Sequence, residues 1–273
     1  MQGTGLPEWK DESSRKRFIE YYYAQLEELM SNYGRIDLLW YDGCIPQPME
    51  GEKINKRIRE LQPHILINNR NGDPYDFKCC EQAIVPAAPG VAWEACMTLN
   101  DTWGYHSGDK HYKTPFEVLK LLLETASKAG NLLLNVGPRA DGTIPEESVA
   151  ILKKVGDWLR KNGEAVYGSS RSPFSFNSSA VLTTKENRIY VNLLHGLEDK
   201  EICLPDIKNK VLSVYMLESR ENMDFCQQND RLFIKGIPFP LENDLATTIV
   251  IEVEGKPETI REQKTFWIPG DKV

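Results

Sequence analysis

The sequence has 273 residues and a formal net charge of −7, since 33 lysines and arginines face 40 aspartates and glutamates. Its 41% hydrophobic and 27% charged composition is that of a globular protein with a real core, and argues against disorder. The acidic balance argues against a nucleic-acid binder or a protein that binds anionic membranes, because both need surplus basic charge. No apolar run approaches the roughly 18 residues of a membrane span, and residues 1–18 lack the apolar core of a signal peptide.

Helices alternate with short apolar strands over the first 168 residues. Phe18, Tyr22, Leu26 and Met30 recur at four-residue spacing and predict a helix over 14–31. The elements predicted next are a strand over 36–41, a helix over 51–62, strands over 65–67 and 93–99, a helix over 115–129, a strand over 132–134 and a helix over 145–162. Continuous apolar strands that alternate with helices are typical of parallel βα units, in a (β/α) barrel or a doubly wound sheet.

The pattern changes at about residue 169. Short β-rich runs follow, separated by turn residues, over 180–184, 189–194, 211–216, 232–234 and 247–253. They predict an antiparallel β-sandwich over 169–273, after an α/β domain over 1–168. Because a complete eightfold barrel takes about 250 residues, the α/β part is either a smaller sheet or the C-terminal half of a barrel.

Metal-ligand spacing is missing among the cysteines and histidines. The six cysteines, Cys44, Cys79, Cys80, Cys96, Cys203 and Cys226, contain no C-x-x-C pair, and the four histidines form no H-E-x-x-H motif. We expect free thiols in a reducing compartment, and neither a metal centre nor a cofactor.

Asp42 stands where a parallel fold places its functional residues, just beyond the C-terminal end of a strand. Trp40 and Tyr41 precede it and Gly43 follows it. Aromatic faces beside a carboxylate suit a sugar ring, which is apolar on one face and polyhydroxylated at its edge. An aspartate at a strand end is as often a simple loop cap, so this signal alone leaves both interpretations open.

The segment 32–43 closely resembles the nucleophile segment of the α-L-fucosidases of glycoside hydrolase family 29. Further matches follow in the family's order, at 67–70, 81–82, 93–105, 131–138 and 162–167. They cover about residues 14–174, and the rest fits the family's β-sandwich only in class. The resemblance implies an α/β fold, the C-terminal half of a (β/α)8 TIM-type barrel followed by an antiparallel β-sandwich domain. It also implies a retaining exo-glycosidase that hydrolyses terminal α-L-fucosides of glycans.

The resemblance assigns the two catalytic carboxylates. Asp42 is implied as the nucleophile that forms a covalent fucosyl-enzyme, and Glu81 as the acid/base, since a retaining enzyme needs two carboxyl groups about 5–5.5 Å apart. Glu81 takes the place of the glutamate in a Pro-Glu-Gln triplet of the family's variable loop, with Cys80 instead of proline. Glu94 is the alternative acid/base; otherwise it orients its neighbours. Asp37 is expected to be a structural partner near the start of its strand.

The other implied site residues bind the sugar. Trp40 and Trp103 resemble positions that pack on the sugar ring or its C6 methyl group, with ordinary core packing as the alternative. Arg70 is implied to hold a hydroxyl or to orient the acid/base. The implied partner is a fucosylated glycan or glycoconjugate, without nucleic acid, membrane, metal or organic cofactor.

The family's first barrel strands and its histidine-rich, fucose-binding segment have no counterpart here. A half-barrel would expose strand edges and an apolar face, so we expect a fragment that binds fucose poorly by itself. Two alternatives stay open. One is an inactive carbohydrate-binding remnant, and the other is a retaining glycosidase for another sugar, such as α-galactose.

Overall fold

A computed structural model describes residues 9–43, 49–174 and 179–260, so Cys44 lies outside the described residues. The elements are α1 (Glu12–Asn32), β1 (Leu38–Leu39), α2 (Gly51–Leu61), β2 (Leu66–Ile67), β3 (Phe77–Glu81), β4 (Ala92–Thr98), α3 (Pro115–Ser127), β5 (Asn131–Asn135), α4 (Glu146–Asn162), β6 (Ala180–Lys185), β7 (Arg188–Leu193), β8 (Glu201–Leu204), β9 (Val211–Met216), β10 (Phe225–Gln228), β11 (Arg231–Lys235) and β12 (Thr247–Val253). No helix among the described residues is long and apolar enough to cross a membrane.

The chain divides into two compact units. The first unit contains the described residues of 1–81 and 87–94, and the second contains those of 82–86 and 95–273. The predicted boundary between 168 and 169 falls inside the second unit and stays a prediction.

In the first unit, α1 begins at a side-chain cap, where Asp11 accepts a hydrogen bond from the Ser14 backbone N–H at 2.6 Å. Its buried face is formed by Ile19, Leu26 and Met30. The predicted apolar stripe began one residue earlier, at Phe18, which the structure leaves 44% exposed. Residues four apart are offset by about 40° around a helix of 3.6 residues per turn. Four residues at this spacing therefore do not all share the buried face, and Phe18 lies outside it.

In the first unit, β1 and β2 pair in parallel. Leu38 is opposite Leu66 and Leu39 is opposite Ile67, and a parallel bridge joins Asn68 to Phe77 at the start of β3. The core beneath these strands contains Leu26, Met30, Tyr41, Ile54, Ile58, Ile65 and Ile67. The carboxyl ends of β1 and β2 therefore lie side by side, which sets the positions of the residues that follow them.

β3 has no counterpart among the predicted elements, because Phe77 is its one buried residue and its sequence contains no apolar run. The sequence placed Glu81 in a variable loop, and this placement is wrong: Glu81 is the last residue of β3. The boundary between the two units falls within β4, whose first three residues belong to the first unit and whose remainder belongs to the second.

The second unit contains two antiparallel sheets on a common core. The strand order is β6-β7-β12-β9 in one sheet and β10-β11-β8 in the other. Both sheets contribute buried residues to one cluster, with Val191 and Ile249 from the larger sheet and Ile202 and Leu232 from the smaller. The expected class of mixed α/β structure followed by antiparallel sheets is thus confirmed at this level.

Candidate active site

Arg70 joins the two carboxylates that the sequence singles out. It lies in a 3-10 turn directly after β2, with its side chain 19% exposed. One guanidinium nitrogen is 2.5 Å from Asp42 Oδ1, and the other terminal nitrogen is 2.8 Å from Glu81 Oε2. Two carboxylates bound to one planar guanidinium lie within the reach of a single small ligand.

Trp40 and Glu94 complete this cluster in the first unit. The guanidinium carbon of Arg70 lies 4.5 Å from the centroid of the Trp40 ring, within the range of a cation–π interaction. The indole N–H of Trp40 donates to Glu94 Oε1 at 2.8 Å, and the thiol of Cys79 lies 3.9 Å from the same oxygen. Glu94 therefore accepts hydrogen bonds from uncharged donors, whereas Asp42 and Glu81 share a cation.

Asn68 and Asn69 hold the two carboxylate-bearing segments, a role that sequence reasoning did not give them. Asn68 is fully buried; its Oδ1 accepts from the Tyr41 N–H at 3.1 Å and its Nδ2 donates to the Tyr41 carbonyl at 2.9 Å. Asn69 Oδ1 accepts from the Cys79 N–H at 2.9 Å. The available signal was a run of polar amides immediately after a buried strand, because amides there must find backbone partners.

Asp37 lies apart from these contacts. Its carboxylate is 74% exposed, 2.6 Å from the Arg35 side chain and 3.8 Å from His64. It directly precedes β1, and its expected role as a structural partner stays a prediction.

Trp103 belongs to the second unit, in the loop that follows β4, and it is 40% exposed. The structure thus brings Asp42, Glu81, Arg70, Trp40 and Glu94 together in the first unit and places Trp103 in the other. The described part of the chain contains no group of three or more His, Cys, Asp or Glu side chains that could hold a metal ion.

The similarity to known proteins is extensive. A model of the alpha-L-fucosidase family matches residues 5–164. The chain is 47% identical over 177 residues to plasma alpha-L-fucosidase of Homo sapiens, which is 58% of this chain and 38% of that protein.

Solved fucosidase structures also resemble the chain. Alpha-L-fucosidase isoenzyme 1 from Paenibacillus thiaminolyticus has a TM-score of 0.81 and 34% identity, covering 88% of this chain and 63% of that one. The alpha-fucosidase of Thermotoga maritima in complex with a mechanism-based inhibitor has a TM-score of 0.75 and 30% identity, covering 87% of this chain and 57% of that one.

The chain spans 38% of the length of the human plasma relative. The family model nevertheless covers more than half of this chain. The protein therefore belongs to the α-L-fucosidase family.

Proposed function

We propose that this chain carries the catalytic carboxylates of a retaining exo-glycosidase that hydrolyses terminal α-L-fucosides of glycans. The observation that carries the proposal is the single guanidinium of Arg70, which binds Asp42 and Glu81 at once. A retaining mechanism needs its two carboxyl groups about 5–5.5 Å apart on either side of the scissile bond. Family membership supplies the substrate class, and the site supplies the paired carboxylates that this chemistry requires.

Asp42 acts as the nucleophile. An Asp42 oxygen attacks the anomeric carbon as the bond to the leaving oxygen breaks, and the product is a fucosyl ester of Asp42. Arg70 donates a hydrogen bond to the attacking carboxylate and fixes its direction. Water then attacks the same carbon, which releases fucose with retained configuration and restores the carboxylate.

Glu81 acts as the acid/base. It protonates the leaving oxygen in the first step and removes a proton from water in the second. As the base of the second step, Glu81 can remain paired with Arg70. As the acid of the first step, it must first be released, which requires substrate to displace Arg70 from the carboxylate. Glu94 is the second candidate, because the hydrogen bonds it accepts come from the uncharged Trp40 and Cys79 side chains.

Trp40 and Arg70 bind the sugar, with Glu94 orienting the Trp40 indole if it is not itself the acid/base. For Trp103, which lies in the second unit, the sugar-packing role is proposed on the family resemblance alone. A guanidinium carries five N–H donors, so Arg70 can hold a hydroxyl while it contacts a carboxylate. The indole ring of Trp40 offers an apolar face for the sugar ring or its C6 methyl group.

We also propose that residues 1–168 form part of a (β/α)8 barrel and that residues 169–273 form a β-sandwich domain. The parallel pairing of β1 with β2 and the parallel bridge from Asn68 to Phe77 support the first assignment. The two antiparallel sheets on one core support the second. The substrate partner is a fucosylated glycan or glycoconjugate.

The first experiment measures release of nitrophenolate from 4-nitrophenyl α-L-fucoside by the purified chain, beside D42A. D37A is the matched control, since it removes a carboxylate from the same segment outside the cluster. We expect D42A to abolish turnover and D37A to preserve it. An unmutated chain that folds and binds L-fucose without turnover would instead support a carbohydrate-binding remnant.

Azide separates the two acid/base candidates. Removing the acid/base spares reaction of an activated aryl leaving group but slows the attack of water, and azide replaces that water without needing a base. We expect azide to accelerate E81A and not E94A; the reverse result would assign the role to Glu94. Equal turnover of aryl α-galactoside, which carries a C6 hydroxyl, would contradict specificity for fucose.

A further inference from the structure

Three consecutive residues, Asn68, Asn69 and Arg70, contact both carboxylate-bearing segments of the first unit. Arg70 binds the Asp42 and Glu81 side chains through its guanidinium. The two asparagines instead bind main-chain groups of the segments that carry these carboxylates. Side-chain packing does not fix the carboxylates, because the side chains of Asp42 and Glu81 are 78% and 36% exposed. Their positions therefore depend on how their backbones are held.

Asn68 continues the pairing of β1 with β2 beyond the end of the strands. β1 ends at Leu39, opposite Ile67 and three residues before Asp42. The buried Asn68 amide then pairs with both main-chain groups of Tyr41, accepting from the N–H at 3.1 Å and donating to the carbonyl at 2.9 Å. An amide side chain carries a donor and an acceptor, as a peptide group does, so it replaces the next peptide of the ladder. Because Asp42 follows Tyr41 directly, this pairing sets where the Asp42 backbone lies.

Asn69 ties β3 to the turn that carries Arg70. Its Oδ1 atom accepts from the Cys79 N–H at 2.9 Å, and its carbonyl accepts from the Gly72 N–H at 3.1 Å, which closes the turn. Cys79 and Glu81 are two residues apart in β3, and alternate residues of a strand point to the same face. The contact that holds Cys79 against the turn therefore also sets the position of Glu81 relative to Arg70.

We propose that Asn68 is a positioning residue for Asp42 and that Asn69 is a positioning residue for Glu81. The proposal rests on the proposed function, in which Asp42 is the nucleophile and Glu81 the acid/base. Because each asparagine acts on one carboxylate, the loss of each affects a different step. With an activated aryl leaving group, which needs no acid, Asn68 controls formation of the fucosyl-enzyme and Asn69 controls its hydrolysis.

The test measures hydrolysis of 4-nitrophenyl α-L-fucoside by N68A and N69A, with and without azide. We expect N68A to lower kcat/KM about a hundredfold, because a displaced nucleophile attacks the anomeric carbon poorly, and azide should not restore it. We expect N69A to preserve kcat/KM, which reports formation of the fucosyl-enzyme. Its kcat should fall about tenfold, less than complete loss of base catalysis would cause. Azide should restore that kcat, since azide attacks without a base.

Two further variants separate positioning from folding. N68D keeps the size of the side chain and an oxygen for the Tyr41 N–H, but when ionised it cannot donate to the Tyr41 carbonyl. We expect it to share the kinetic defect of N68A. Q62A is the matched control, because the buried Gln62 amide also donates to main-chain carbonyls of the first unit, those of Met30 and Gly34, at 2.7 and 2.9 Å. We expect Q62A to lower Tm while kcat and kcat/KM match those of the unmutated chain.

Arg70 gives a readout that needs no turnover. Isotopic labelling of the arginine guanidinium nitrogens gives NMR resonances, and R70K identifies those of Arg70. We expect N68A and N69A each to move the Arg70 resonances, because one carboxylate leaves the guanidinium in each variant. We expect Q62A to leave these resonances in place.

Several results would overturn the proposal. These are Arg70 resonances that stay in place in N68A or N69A, an unchanged kcat/KM in N68A, or kinetic losses of the same kind in Q62A. An N69A variant that azide does not accelerate, while E81A responds to azide, would overturn it as well. An unmutated chain without turnover, or an E81A variant that azide does not accelerate, would contradict the proposed function instead. The Arg70 resonances would then still decide whether the two asparagines hold the carboxylates.

Discussion

Arg70 makes its two carboxylate contacts through different nitrogens of one rigid plane, while its ring neighbour Trp40 lies 4.5 Å from the guanidinium carbon. Lysine keeps the positive charge but offers a single ammonium group, which cannot reproduce the planar two-nitrogen geometry or stack on the ring in the same way. The spacing of Asp42 and Glu81 thus depends on the shape of this side chain as well as on its charge.

The substitution R70K is therefore expected to lower kcat/KM for 4-nitrophenyl α-L-fucoside by about a hundredfold, the scale of a misplacement near 1 Å at a reacting centre. The measurement is steady-state kinetics at one pH, with circular dichroism to confirm folding. R35K is the matched control, because Arg35 binds Asp37 in an exposed pair outside the cluster. Similar losses in both variants would refute a geometric role for Arg70.

At the scale of elements, α2 begins against the backbone of the turn that carries Arg70. A Cβ atom on Gly51 would overlap the Asn71 carbonyl oxygen. Backbone cannot swing aside as the end of a flexible side chain can, so the helix or the turn must shift. Gly156 in α4 is different, because the nearest atom to its added Cβ is the end of the Arg160 side chain at 3.8 Å.

We accordingly expect G51A to lower the free energy of unfolding by about 1–3 kcal/mol, as for overpacking. G156A should raise it by about 1 kcal/mol, because alanine is the better helix former in a helix interior. Urea unfolding followed by circular dichroism measures both. If G51A is neutral, α2 does not depend on this close approach.

Elements with strong local signals are the ones the sequence predicts. α3 was expected to begin at Pro115, and it does so behind a reciprocal cap between Thr114 and Glu117. β9 and β12 match their predicted ranges of 211–216 and 247–253. The structure adds β3, β8 and β10, which are short and carry few buried residues, so their strand conformation comes from pairing with distant segments.

The candidate site likewise combines features that the sequence predicts with contacts that depend on distant segments. Asp42, Glu81 and Arg70 are identified in the sequence through the family resemblance. That one guanidinium reaches both carboxylates depends on which strands are neighbours, and no local pattern encodes that. The amide contacts of Asn68 to Tyr41 are hidden for the same reason, because their partner lies 27 residues away.

At the scale of the whole molecule, charged side chains tie the α4 end of the second unit to its larger sheet. Arg188 on β7 binds Glu164 at 2.8 Å and Glu252 on β12 at 3.0 Å. The hydroxyl of the fully buried Tyr190 donates to Glu164 at 2.8 Å, and Arg220 reaches the same carboxylate at 3.2 Å. Networks of this kind stabilise a fold only while their carboxylates remain ionised.

The ionisation of these carboxylates determines how the stability of the fold changes with pH. Partial burial raises the pKa of Glu164, but hydrogen bonds from Tyr190 and Arg220 and the charge of Arg188 lower it by more, leaving its pKa below the ordinary value. Burial likewise raises the pKa of Glu252, and hydrogen bonds from Ser213 and Arg188 lower it by more. A carboxylate with a lowered folded-state pKa stabilises the fold above its unfolded-state pKa, about 4.3 for glutamate, and loses that contribution as pH falls through the folded-state value.

The substitution E164Q tests this linkage, because glutamine keeps the shape of the side chain and cannot titrate. We expect Tm at pH 7 to be lower in E164Q than in the unmutated chain, with the difference shrinking below about pH 4.3 as Glu164 becomes protonated. E198Q removes an exposed carboxylate from the same unit and should change stability by no more than about 0.5 kcal/mol. Thermal melts between pH 3 and pH 7 measure the Tm difference between E164Q and the unmutated chain. A difference that stays constant over this range would mean that Glu164 contributes shape or packing, and that its ionisation does not stabilise the second unit.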